Sequence, residues 1–141
     1  MDTGYIHYNE KMIDHFMNPR NVGEIEDPHG VATVGDPTCG DFLRAAIRVE
    51  DGRIHDFKFL TQGCPAAIAT SSIATEVAIG KTLEEALQLN DNDVIIAAGG
   101  IPARKAHCSL LAIRALHEAI RQYLARSDKK EREGHEAAND R

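Results

Sequence analysis

The chain has 141 residues with 16 Lys plus Arg against 22 Asp plus Glu, a formal charge of -6, and is 43% hydrophobic but only 5% aromatic, with no tryptophan. That length fits one domain able to bury about two-thirds of its unfolded surface without disulfide staples, around a core of Ala, Ile, Leu and Val. The acidic balance, with no Lys/Arg cluster free of interleaved acids, argues against sequence-independent nucleic-acid binding. There is no run of about 18 apolar residues, and Met1-Asp-Thr-Gly-Tyr5 lacks the basic and apolar regions of a secretory signal, so no membrane role is expected. A cytoplasmic protein is predicted, where the three cysteines stay reduced, and an odd number of thiols agrees with that.

In chain order, Asn9 caps a short helix through Glu10 to Met17, which Asn18-Pro19 stops because the residue before proline avoids the α region. Residues Arg20 to Gly30 read as a surface connection. Val31 to Val34 is a first short strand. Leu43, Ala45, Ile47 and Val49 then alternate with Arg44, Ala46, Arg48 and Glu50, the period of a strand with one buried face. Asp51-Gly52 is a two-residue hairpin signal, because both positions accept positive φ. The return strand, Arg53 to Thr61, carries Phe57 and Phe59 on one face. Ile54 is out of phase with them, so a bulge is expected near the turn.

Beyond the strands, Ala66 to Ile79 is helical in alanine content, with Pro65 suited to its first turn and Gly80 to its C-terminal cap. Thr82-Leu-Glu-Glu85 is a capping box for a helix to about Leu89. Asp93 to Ala98 forms another, ended by Gly99-Gly100. After an extended or loop-like Ile101 to Lys105, the last helix is expected from about His107 to Arg126, on a stripe of Ile113, Leu116, Ile120, Tyr123 and Leu124. Residues 127–141 are charged and nearly free of large apolar side chains. They read as a frayed helix end passing into a disordered tail, outside a domain of residues 1–126.

The three cysteines lie in loop-like contexts: Gly35-Asp-Pro-Thr-Cys39-Gly-Asp41, Gln62-Gly-Cys64-Pro65 and Lys105-Ala-His107-Cys108-Ser109. The hairpin brings Cys39 and Asp41, just before the outgoing strand, to the same end of the sheet as Cys64, just after the returning one. Cys64 and Cys108 both fall at helix starts, where unpaired N–H groups and the helix dipole favour the thiolate. Three thiolates with His107 suit Zn(II) or iron, and Asp41 offers a harder oxygen that competes with the histidine. The spacing is not the paired Cys-x-x-Cys of a zinc finger. A closed structural zinc site remains the alternative from another functional class. A cysteine nucleophile using Cys108 is disfavoured, because adjacent helical residues such as His107 and Cys108 do not face each other. His7, His15, His29, His55, His117 and His135 read as surface or structural residues.

At these residues the sequence resembles the IscU/NifU family of iron-sulfur cluster assembly scaffolds. The matching stretches are Tyr8 to Phe16 with Asn18 to Gly23, Gly35 to Asp41, Thr61 to Cys64 with Ala67 to Ser72, Gly80-Lys-Thr82 and Lys105 to Ser109. The resemblance implies an α+β fold, a three-stranded antiparallel sheet with helices packed on one face and a long C-terminal helix. It also implies a scaffold, not an enzyme, which accepts persulfide sulfur from a cysteine desulfurase of IscS/NifS type, combines it with iron, holds a [2Fe-2S] cluster and passes it to apo-proteins. Cys39, Cys64 and Cys108 would be cluster ligands, with Cys108 the first sulfur acceptor. Asp41 would bind iron or keep the cluster labile as a fourth ligand, His107 would be its competitor, and Lys105 would balance thiolate charge. The same ligands in the family also hold zinc, and a homodimer around a bound cluster belongs to the same picture.

The uninterrupted stretch from Cys64 to Cys108 and the presence of His107 resemble IscU more than SufU, and the chain ends before the further cysteine-bearing domains of full-length NifU would begin. Where many bacterial relatives carry Leu-Pro-Pro-Val-Lys for an Hsp70-type chaperone, this chain has Ile101-Pro102-Ala103-Arg104-Lys105, a departure that counts against that partner. Pro65 after Cys64 should stiffen its loop.

Overall fold

The computed structural model describes residues 9–36, 41–62, 65–100 and 111–139. In chain order these form α1 (Glu10–Met17), β1 (Gly30–Asp36), β2 (Asp41–Glu50), β3 (Arg53–Gln62), α2 (Pro65–Ala78), α3 (Leu83–Gln88), α4 (Asp91–Ala97) and α5 (Leu111–Asn139). The strands make one antiparallel sheet in the order β1-β2-β3.

The register follows from side-chain phase. Leu43, Ala45, Ile47 and Val49 of β2 are all buried, as are Phe57 and Phe59 of β3, and together they form the floor on which the helices pack. The turn between β2 and β3 has Asp51 at φ 54° and Gly52 at φ 72°, the doubly left-handed geometry of a tight hairpin. The pairing slips by one residue between Arg48 and Val49, opposite the stretch where β3 runs from Ile54 to Asp56. That irregularity lets Ile54 and Phe57 both face the core, where both are buried, although their spacing is odd.

The helix starts are capped as their sequences dictate. Asn9 accepts from the Met12 N–H, while Thr82 with Glu85 and Asn90 with Asp93 each form a reciprocal capping box. The Glu85 carboxyl is held below its usual range first by the Thr82 backbone N–H it accepts. The third of these helices therefore starts at Asp91, two residues earlier than its apolar pattern suggests.

Helix α5 lies along β1 and β2, with Ile113, Leu116 and Ile120 buried in the core. Its middle is pinned to the start of β1. Gln122 Oε1 accepts the Val31 N–H at 2.8 Å, and Arg126 Nη1 donates to the His29 carbonyl at 3.3 Å. A Cβ at residue 30 would collide with the Ala119 carbonyl, so only glycine permits this approach. The helix does not end near Arg126 but continues to Asn139. Lys, Glu and Arg cannot build a core yet are good helix formers, so low apolar content argues against packing and not against helix.

The opposite face of the sheet is crossed by the connection before β1. Gly23 and Asn21 exchange backbone hydrogen bonds with Phe59 at the outer edge of β3, Glu24 pairs with Arg44 at 3.5 Å, and Arg48 donates to the Asp27 carbonyl at 2.6 Å. His29 then bonds through its N–H to Ile47 and through Nδ1 to the Val49 N–H.

Candidate functional site

Of the residues expected to form the site, Cys39, Cys64, Lys105, His107 and Cys108 lie outside the described residues, and Asp41 is described through its backbone. The frame around them is well defined. Asp36, the last residue of β1, pairs with Asp41, the first of β2. Phe42 pairs with Gln62, the last residue of β3, and α2 opens at Pro65 immediately after residue 64. The ends flanking residues 37–40 and 63–64 therefore share one end of the sheet, and Asp41 belongs to that end by register. Pro65 at the first helical position matches the sequence expectation, since its missing N–H has no helical partner there anyway.

The flanks of residues 101–110 reach the same neighbourhood by two routes. Because α5 is pinned at Ala119 to Arg126 against the start of β1, its first turns, from Leu111, run back along β1 and β2 toward the Asp36 and Asp41 end. On the other flank, α4 ends in a glycine cap: Gly99 N–H bonds to Ile96 and Gly100 N–H to Ile95, with positive φ at both glycines. The Asn9 amide donates to the Ala98 carbonyl at 2.8 Å and to the Gly100 carbonyl at 3.3 Å. Helix α1 that starts there packs on α2, and Met12, Ile13 and Phe16 line a small apolar pocket with Pro65 and Ala69. Gly100 is thereby tied to the helix that flanks the first turn of α2.

The α1–α2 seam also contains a polar network. His15 is buried, its Nδ1 lies 2.7 Å from Ser72 Oγ, and its Nε2 lies 3.4 Å from Glu76 Oε1. Ser72 Oγ also accepts the Arg20 N–H at 2.8 Å, and Arg20 pairs through its guanidinium with Asp14 at 2.7 Å. The His15 contacts fit a neutral imidazole that accepts the Ser72 hydroxyl at Nδ1 and points its Nε2–H at Glu76, while Arg20 Nη1 is buried with no hydrogen-bond partner among the described residues. Burial pushes the His15 pKa below its ordinary value, with the Arg20 charge acting in the same direction. The Arg20 hydrogen bond holds the Asp14 carboxyl below its usual range.

His15 reads in the sequence as surface or structural and is buried in the fold, but nothing in its local sequence identifies its partners. Ser72 lies 57 residues away, with Glu76 one turn further on, in a helix whose apolar composition hides the buried hydroxyls of Thr70, Ser71, Ser72 and Thr75. The sequence marks Asn9 as a cap, and its second role is equally invisible there because the carbonyls it holds are 89 and 91 residues distant. No group of three or more potential metal ligands occurs among the described residues. No helix among them is long and apolar enough to cross a membrane.

Residues 7–130 match the family described as NifU-like N terminal domain. The chain is 57% identical over 122 residues to the iron-sulfur cluster assembly scaffold protein IscU 1 of Archaeoglobus fulgidus, covering 86% of this chain and 80% of that protein. It is 46% identical over 126 residues to the IscU scaffold of Aquifex aeolicus, covering 88% and 80% respectively. Among solved structures, the N-terminal NifU-like protein of Brucella abortus superposes with a TM-score of 0.66 at 24% identity, over 83% of this chain and 94% of that one, a likeness of fold.

Proposed function

The chain belongs to the NifU-like N terminal domain family, and from that premise we propose that it is an IscU-type scaffold on which iron-sulfur clusters are assembled and from which they are passed on. The observation that carries this reading is the frame itself. The described ends flanking Cys39 and Cys64 share one end of the sheet, and Gly100, which leads into the segment bearing Cys108, is tied to the helix beside them.

In this reading Cys39, Cys64 and Cys108 supply three thiolates and Asp41 and His107 contest the fourth position. The cluster is cargo. The Cys108 thiolate attacks the sulfane sulfur of a cysteine desulfurase persulfide. The donor S–S bond breaks, the donor thiolate leaves, and two electrons per sulfur from an external reductant convert the sulfane sulfur to sulfide. Iron held by the same ligands then joins it as [2Fe-2S], and Lys105 offsets the thiolate charge. A carboxylate is a harder ligand than a thiolate and binds iron of the cluster less firmly, so Asp41 keeps the cargo releasable to apo-proteins. The role is that of a scaffold and not an enzyme, exercised in the cytoplasm, with residues 1–126 as the working domain and 127–141 as an appendage. Ile101-Pro102-Ala103-Arg104-Lys105 leaves an Hsp70-type chaperone without its usual recognition sequence.

Anaerobic reconstitution of the full chain with ferrous iron and sulfide tests the proposal. A visible thiolate-to-iron charge-transfer spectrum is expected, and it should be lost on Cys39→Ser, Cys64→Ser and Cys108→Ser. A protein that stays colourless, holds zinc tightly and loses much of its stability on chelation would instead be a zinc-stabilised domain.

A further inference from the structure

The geometry points to Asn9 as the positioning residue that sets where the Cys108-bearing segment leaves the fold. Its carboxamide meets three backbone groups at once. Oδ1 accepts the Met12 N–H at 2.8 Å, which caps α1, while Nδ2 donates to the Ala98 carbonyl at 2.8 Å and the Gly100 carbonyl at 3.3 Å. This assignment of the amide is fixed by its partners, because an N–H needs the oxygen and two carbonyls need the nitrogen.

The two carbonyls lie at and just beyond the end of α4, where the glycine cap satisfies the carbonyls of Ile95 and Ile96. The fit is close: a Cβ on Gly99, already at φ 78°, would stand 3.1 Å from Asn9 Nδ2. Residues 101–110, which include Lys105, His107 and Cys108, follow directly from Gly100. The other end of the tie is α1, fastened to α2 through His15 and Ser72, and α2 itself begins one residue after Cys64. Asn9 thus links two of the three cysteine-bearing segments through a helix that carries none of the ligands. The inference rests on the reading of Cys108 as a site thiol.

Aspartate separates the two roles of Asn9. It caps a helix as well as asparagine does, but it places a carboxylate oxygen where the amide donated, against two carbonyl oxygens. In the full Asn9→Asp chain, kept anaerobic with a chelator present, the alkylation rates of Cys39, Cys64 and Cys108 by iodoacetamide are followed separately by peptide mass spectrometry. Cys108 should react about two- to tenfold faster than in the unsubstituted chain, the local opening expected for a lost hydrogen bond, while Cys39 is unchanged and far-UV helix content is retained. An unchanged Cys108 rate, or equal acceleration at all three thiols, overturns the inference. Should Asn9→Asp fail to fold, Asn9→Ser is read in the same way, since its hydroxyl can still cap α1 but is too short to reach the α4 carbonyls. The readout needs no iron or sulfide. Selective acceleration in a protein that never builds a cluster would therefore fail the scaffold reading alone, and cluster assembly without selective acceleration would fail this one alone.

Discussion

Helix α5 and helix α1 are held to the molecule by opposite chemistry. Helix α5 buries Ile113, Leu116, Ala119 and Ile120 against the sheet, so closely that residue 30 must be glycine. Helix α1 buries one apolar side chain, Met12, beside an imidazole, and its fastening runs through hydrogen bonds to Ser72, Ala98 and Gly100, with Ile13 and Phe16 left 49% and 38% exposed. Apolar burial is non-directional and insensitive to protonation, whereas a polar seam is only as good as its full set of partners. The difference teaches that the sheet and α5 form the rigid part of the frame, and that the α1 seam, beside the cysteine-bearing ends, is the part that conditions can loosen.

The largest break in this comparison should come from the apolar side. Ile120→Ala removes fully buried carbons and is expected to cost about 2–5 kcal/mol in urea unfolding, by the same amount at pH 6 as at pH 8. A pH-dependent loss would mean that α5 too relies on titrating groups.

Ser72→Ala comes next. It leaves the Arg20 N–H and the His15 ring without their shared partner, at about 1–3 kcal/mol. A protein indifferent to this change, measured by denaturant midpoint, would remove the polar seam as a source of stability.

The third outcome is a pH profile. His15 has its folded pKa depressed below 6.5 by burial and by Arg20, against the opposing pull of Glu76 and Asp14 and with Lys11 lowering it further. The unfolded chain therefore binds the proton first as pH falls. Stability contributed by the neutral ring is complete above the unfolded value and declines as pH drops through 6.5 toward the folded one. Thermal midpoints should fall between about pH 7.5 and 5.5, and His15→Gln should flatten that decline. An equally steep profile in the variant would assign the effect to other groups.

The smallest effect belongs to the surface. Arg121→Ala breaks an exposed pair with Glu118 and should move stability by no more than about 0.5 kcal/mol, which gives the scale against which the seams are judged.

What the sequence made legible follows the range of the physics involved. The hairpin, its slipped register and the three helix caps depend on residues within a few positions of one another, and Asp51-Gly52, Thr82 with Glu85 and Asn9 were all readable as such. The alternation in β2 announced which face would be buried. The His15–Ser72 contact and the tie from Asn9 to Gly100 are tertiary, with no periodic signal to betray them. The connection before β1 reads as loop because it is polar and rich in turn residues, yet the Glu24 carboxylate fastens it to Arg44 and the Asp27 carbonyl to Arg48. The extent of α5 is hidden in the sequence because the apolar stripe stops near Arg126, whereas helix propensity continues past it.

Consider, finally, the order in which the ribosome delivers this chain. Helix α1 is synthesised before the strands, but its anchors at Ser72, Ala98 and Gly100 come some sixty to ninety residues later. The three strands are consecutive and pair with their nearest neighbours, so they can form while the rest is still being made. Helix α1 must wait, with Ile13 and Phe16 uncovered, for a partner that does not yet exist. Its docking against α2 and the end of α4 can be completed only after those residues have been made, late in the birth of the molecule.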